Sequence, residues 1–185
     1  MTRVLASGAL SILLAAEAFG QAAPSPPAAF APKCADAEHR RLDFWAGDWE
    51  AYEVEAAAGA GPVARARIEI VLGGCALRET YEQSDGLVGQ SLSAYDASRS
   101  LWHQTWVTNR GALLQIDGRF EGDRLTIQGA QRSAQGREDT LRALWKPQNG
   151  GVRETAEISS DGGKTWRPLF DILFRRHGSS ASPPS

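Results

Sequence analysis

Ten short runs of β-type residues, most of them separated by brief turn signals, constrain this chain more than any other feature. The runs fall at residues 49–54, 64–72, 75–82, 87–95, 101–108, 112–120, 124–131, 140–145, 152–159 and 166–176. In the second, Ala66, Ile68 and Ile70 alternate with Arg65, Arg67 and Glu69, the period of two that marks a strand with one buried face. Gly73-Gly74, Ser84-Asp85-Gly86, Asn109-Arg110-Gly111 and Glu121-Gly122-Asp123 punctuate the series. Links of this kind favour hairpins between sequence neighbours. No intervening segment carries a helical period. The expected fold is therefore all-β, an up-and-down antiparallel barrel of about ten strands, with a sandwich as the alternative. One short helix is expected ahead of it, at residues 35–44. Asp36 and Glu38 come early there and Arg40 and Arg41 late, which suits the helix dipole. Leu42, Phe44 and Trp45 would then plug one barrel end.

The two ends of the chain read differently. Arg3 precedes an apolar run from Val4 to Phe19, and small residues follow, so residues 1–23 read as a secretory signal. The run is short for a membrane span. Residues 24–33 are an Ala/Pro-rich spacer and 177–185 a disordered tail by composition. The folding unit is expected at residues 34–176, in a secreted or periplasmic protein with no membrane span once the signal is cleaved. In that compartment the only two cysteines, Cys34 and Cys75, are expected to form a disulfide. Closing a loop of about 40 residues is worth about 4 kcal/mol in the chain-entropy account.

With 20 Lys and Arg against 22 Asp and Glu, the chain lacks the basic excess of a nucleic-acid binder, so no such partner is expected. Gly89-Gln90-Ser91-Leu92-Ser93 lacks the last glycine of a nucleophile elbow, and no phosphate-cradling glycine loop is present. Two cysteines do not make a structural zinc site. His39 and His103, the only histidines of the folding unit, have no ligand-spaced carboxylates, so no metal is expected. No cofactor is expected either; haem on a single axial histidine is the exception kept open, and it requires His103 to face the lumen.

The segments His39-Arg40-Arg41-Leu42-Asp43-Phe44-Trp45-Ala46-Gly47-Asp48-Trp49-Glu50, Gly73-Gly74-Cys75-Ala76-Leu77-Arg78-Glu79, Trp102-His103-Gln104-Thr105-Trp106-Val107 and Phe170-Asp171-Ile172-Leu173-Phe174-Arg175-Arg176 resemble a bacterial family catalogued as domain of unknown function 1579. The resemblance covers most of residues 39–176. It implies a small lipocalin-like, calycin-type barrel, often exported, and no established activity. Gly47-Asp48-Trp49 looks like the lipocalin Gly-x-Trp signature, in which the Trp closes the barrel floor under an arginine of the last strand, here Arg175 or Arg176. Ser159-Ser160-Asp161-Gly162-Gly163-Lys164-Thr165-Trp166 fits the Asp-box pattern seen in sialidases. Physically it is a hairpin device: Asp161 bonds backbone N–H groups, Gly163 takes positive φ and Trp166 packs beneath. A single box in a chain too short for a propeller does not imply sialidase chemistry.

The functional candidates are side chains expected to point inward. Trp102, Gln104 and Trp106 share one strand face, two indoles flanking an amide. Each Trp is equally readable as core filling. Glu79 lies between Leu77 and Tyr81 on its face, and Arg142 alternates with Leu141 and Ala143. If Glu79 and Arg142 both faced the lumen, burial would force them to pair, either to orient a ligand or as a structural crosslink. The expected function is binding of an apolar or amphipathic small molecule by Trp102, Gln104, Trp106, Glu79, Tyr81 and Arg142. The alternatives are an isomerase- or hydratase-like enzyme with Glu79 as acid or base, and a ligand-free protein-interaction scaffold. A lumen with room for about 300 Å³ favours a ligand, and a filled one the scaffold. Such a cavity with Glu79 unpaired at its wall favours the enzyme.

Overall fold

The computed structural model describes residues 34–132 and 136–178. The expected signal, the spacer and residues 179–185 of the expected tail lie outside the described residues. Ten strands follow a short helical start: α1 (Ala37–Arg40), a 3₁₀ turn (Asp43–Trp45), β1 (Gly47–Glu53), β2 (Ala64–Val71), β3 (Ala76–Gln83), β4 (Val88–Asp96), β5 (Leu101–Thr108), β6 (Leu113–Glu121), β7 (Arg124–Arg132), β8 (Glu138–Gln148), β9 (Gly151–Ser159) and β10 (Arg167–Arg176). Every strand pairs antiparallel with its sequence neighbours, and β1 closes on β10, so the sheet is a closed up-and-down barrel. Closure removes the exposed edges an open sheet would carry. Among the described residues no helix is long and apolar enough to cross a membrane.

Three boundaries depart from expectation. The helix spans four residues rather than ten. Leu42 and Trp45 must both drop into the barrel end, and both are buried. A 3₁₀ turn aligns residues three apart on one side, as that requires. β8 runs to Gln148 instead of stopping at 145, because Asn149 and Gly150 take φ of 50° and 76° and close a two-residue hairpin onto Gly151. His177 is not loose tail: its backbone N–H donates to the Asp48 carbonyl at 3.0 Å and its ring meets Glu50.

The end of the barrel near α1 is filled. Trp45 stacks on Trp49 with centroids 5.6 Å apart, and Phe174 meets Trp45 edge-on at 4.5 Å. The Trp49 indole N–H donates to the Trp45 carbonyl at 2.9 Å, so the polar tip is satisfied inside the plug. Arg176 lays its guanidinium 4.2 Å from the Trp49 ring centre and donates to the Ala46 carbonyl. Gly47 has φ of 147°, and a side chain there would run into that guanidinium. Of the two candidate arginines, Arg176 therefore takes the structural role, and Arg175 lies outside over Tyr52. The Cys34–Cys75 disulfide ties the chain ahead of α1 to the turn before β3, and Arg40 donates to the Gly74 carbonyl in the same turn.

At the opposite end, the Asp161 hairpin behaves as its pattern requires. Asp161 Oδ1 accepts from the N–H groups of Lys164 and Thr165, and Gly163 has φ of 85°. Trp166 is not buried beneath the turn; it lies half-buried with Arg142 over its ring at 4.0 Å.

Candidate functional site: a closed-bottom cavity with two inward carboxyls

The inner face of each strand is set by its period-two pattern. On β3 it carries Leu77, Glu79 and Tyr81; on β5 Trp102, Gln104 and Trp106; on β8 Leu141, Ala143 and Trp145; on β9 Val152, Glu154 and Ala156. Large side chains fill the half of the lumen near the plug. In the other half they leave a cavity of about 390 Å³. Gln104, Trp145 and Phe174 bound it toward the plug, and Val63, Leu87 and Leu113 lie toward the mouth. Trp106 forms one wall because Gly89 on the neighbouring strand has no side chain. Any Cβ there would strike the indole. Tyr81 meets Trp106 edge-on at 6.0 Å.

A polar line crosses three adjacent strands. Glu79 stands opposite Ser91, which stands opposite Trp106. Ser91 Oγ donates to Glu79 Oε2 at 2.8 Å, and Gln104 Nε2 donates to Ser91 Oγ at 3.3 Å and Ser93 Oγ at 3.2 Å. Glu79 is 8% exposed. Burial pushes its carboxyl up to about 7, against the smaller opposing effect of the Ser91 hydrogen bond. Glu154 also lines the cavity; it is half-buried, with surface turned to the lumen. Burial first, then the negative field of Glu79, holds its carboxyl well above the usual carboxylate range, and the Trp145 side chain beside it partly offsets this. Burial likewise raises the Tyr81 phenol.

Several sequence expectations change here. Arg142 does not enter the lumen or meet Glu79. It lies on the outer face, paired with Glu157 at 2.6 Å and stacked on Trp166. Its alternation with Leu141 and Ala143 was the signal, since those two take the inner face. Trp102 faces inward but packs near the plug, among Tyr95 and Phe120, and does not reach the large cavity. Gln104, Trp106, Glu79 and Tyr81 do line it. His103 faces outward, its ring nitrogens at 2.7 Å from Asp117 Oδ1 and 2.9 Å from Thr105 Oγ1, so it offers no axial ligand to the lumen.

Glu154 and Trp145 both line the cavity and neither is among the sequence candidates. The signal was present: Glu154 interrupts Val152, Ala156 and Ile158 at period two, as Glu79 interrupts Leu77 and Tyr81. On the other face of the same strand Arg153 pairs with Asp171 and Glu157 with Arg142. Comparison with protein-family models and with curated proteins finds no match.

Proposed function

We propose that the barrel binds a small, largely apolar molecule in the lumen between the Trp45–Trp49 plug and the mouth. The observation that carries this is the cavity of about 390 Å³, in the size range of small-molecule sites. Its aromatic walls and few polar groups have the usual composition of such sites. Kinship with the domain of unknown function 1579 family and export through the N-terminal segment belong to the same proposal. The plug, the Arg176–Trp49 stack and the disulfide support it.

A test is uptake of Nile red, an uncharged dye whose fluorescence rises in apolar surroundings. Wild-type protein is expected to bind it saturably. Ala143→Phe, which fills the cavity from β8, is expected to weaken binding at least tenfold, whereas Arg142→Ala on the outer face leaves it unchanged. Saturable binding untouched by Ala143→Phe in a folded protein would place the dye elsewhere and defeat the proposal.

Glu79 favours a second reading. A cavity-wall carboxyl near 7 with no ion-pair partner is suited to general acid–base chemistry. Binding is preferred because Glu79 supplies an acid or base while the described lining holds no cationic side chain to stabilise developing negative charge.

A further inference from the structure

The distribution of charge across the barrel wall is uneven. Arginines on β2, β3, β8 and β9 point outward, and there they find acidic partners: Arg67 with Asp48, Arg78 with Glu69, Arg142 with Glu157, Arg153 with Asp171. Glu79 and Glu154 point inward, and among the described residues lining the cavity none is Lys, Arg or His. Glu79 accepts one hydroxyl hydrogen bond on Oε2, and Glu154 has the Trp145 side chain beside it. Carboxyl groups in an apolar enclosure call for a cation or a proton. The walls between them are π-faces: Trp106, Trp145 and Tyr81 all line the same cavity. Such faces attract cations as well as apolar groups.

Resting on the binding reading above, we propose that the natural occupant is an amphipathic organic amine, its ammonium held between Glu79 and Glu154 and its apolar body against Trp106 and the aliphatic wall. The same wall disfavours fatty acids, phosphate esters and other anions, because its described lining offers carboxyls and no cationic side chain. Glu53 at the mouth adds to that bias. The groups facing the site from the strands around it are Glu53 on β1, Glu79 and Tyr81 on β3 and Glu154 on β9. The other described lining residues, on β3, β5, β6, β7, β8 and β10 and in the connections before β2, β4 and β6, are uncharged.

The test is a head-group series on the folded wild-type protein, read by Nile red displacement and by calorimetry: octylamine, octanol and octanoate, which share one tail. Octylamine is expected to bind at least tenfold tighter than octanol, and octanoate weakest. Its advantage over octanol is expected to grow from pH 5.5 to pH 8 as the carboxyls lose their protons. In Glu79→Gln/Glu154→Gln the octylamine advantage is expected to vanish while octanol still binds. If octanol binds wild-type protein as tightly as octylamine, or octanoate binds best, the amine assignment is wrong and the binding reading stands. If none of the three binds or displaces dye, both fall. The wild-type series decides the question even if the double variant does not fold.

Discussion

A carboxyl placed at Glu79 works against the fold that buries it. Its folded-state pKa is raised from 4.5 to about 7 by burial. The unfolded chain therefore releases this proton more easily than the folded one. The stability it contributes is complete below about 4.5, declines as pH rises through the interval, and is gone above about 7. A shift of that size corresponds to about 3 kcal/mol at most. Urea denaturation of the ligand-free protein is thus expected to show higher stability at pH 5 than at pH 8. Glu79→Gln should make that dependence shallower, with Glu154 supplying the remainder, and stabilise the protein at pH 8, because the neutral amide keeps the shape without the charge. Surface carboxyls do not mask the effect in this window: hydrogen bonds and charges from Arg78 hold Glu69 below its ordinary value, and Thr165 does the same for Asp161, so both act at lower pH. An unchanged slope in Glu79→Gln would show that Glu79 is ionised in the folded protein throughout the range.

At the scale of elements, the alternation of side chains made the strands legible, and the runs between turn signals became ten strands within a few residues at their ends. The hairpin device at Asp161 was legible too, because it depends on residues with few other uses, a glycine at positive φ and an Asp accepting turn N–H groups; the Gly-x-Trp resemblance left Arg175 and Arg176 open, and Arg176 is the one over Trp49. Inward against outward was legible for single charges only through their place in the period-two pattern. Alternation alone carried it: Glu79 shares a face with Leu77 and Tyr81 and meets Ser91 inside, whereas Arg142 lies on the face opposite Leu141 and Ala143 and meets Glu157 outside. The plug was anticipated as a helix, yet its last turn is 3₁₀, since packing two large side chains into a narrow end outweighs local helical preference. That plug leans on few covalent or strand contacts of its own. The disulfide closes a loop spanning 41 positions, β1 and β2 included. Replacing both Cys34 and Cys75 with Ser is expected to lower stability by about 3–4 kcal/mol. Hydrogen exchange should rise most in residues 35–46 and in the turn at 72–75. Uniform acceleration over all ten strands, with the plug no more exposed than the rest, would mean that the bond acts only on the unfolded chain.

The whole barrel stands or falls at the seam between its first and last strands. β1 and β10 are farthest apart in the folding unit, and their pairing converts nine hairpin contacts between neighbours into a closed surface. The seam is also where plug, wall and cavity floor meet. Phe174 pairs across it with Ala51, which is fully buried, packs edge-on against Trp45, and bounds the cavity. A change at this point is therefore communicated to every layer. Phe174→Ala is expected to cost about 3–5 kcal/mol, in the range for a fully buried aromatic truncation. Because the closed sheet has no independent half, the loss should appear as one transition moved to lower urea. Tryptophan fluorescence, which reports on the plug and cavity, and far-ultraviolet circular dichroism, which reports on the strands, should shift together with an unchanged denaturant slope. Separate midpoints for the two signals, or a shallower slope in the variant, would show that the strands stay assembled when the seam and plug open. Ligand binding would then have to be explained by a barrel that opens along β1–β10 and not by a closed cup entered through its mouth.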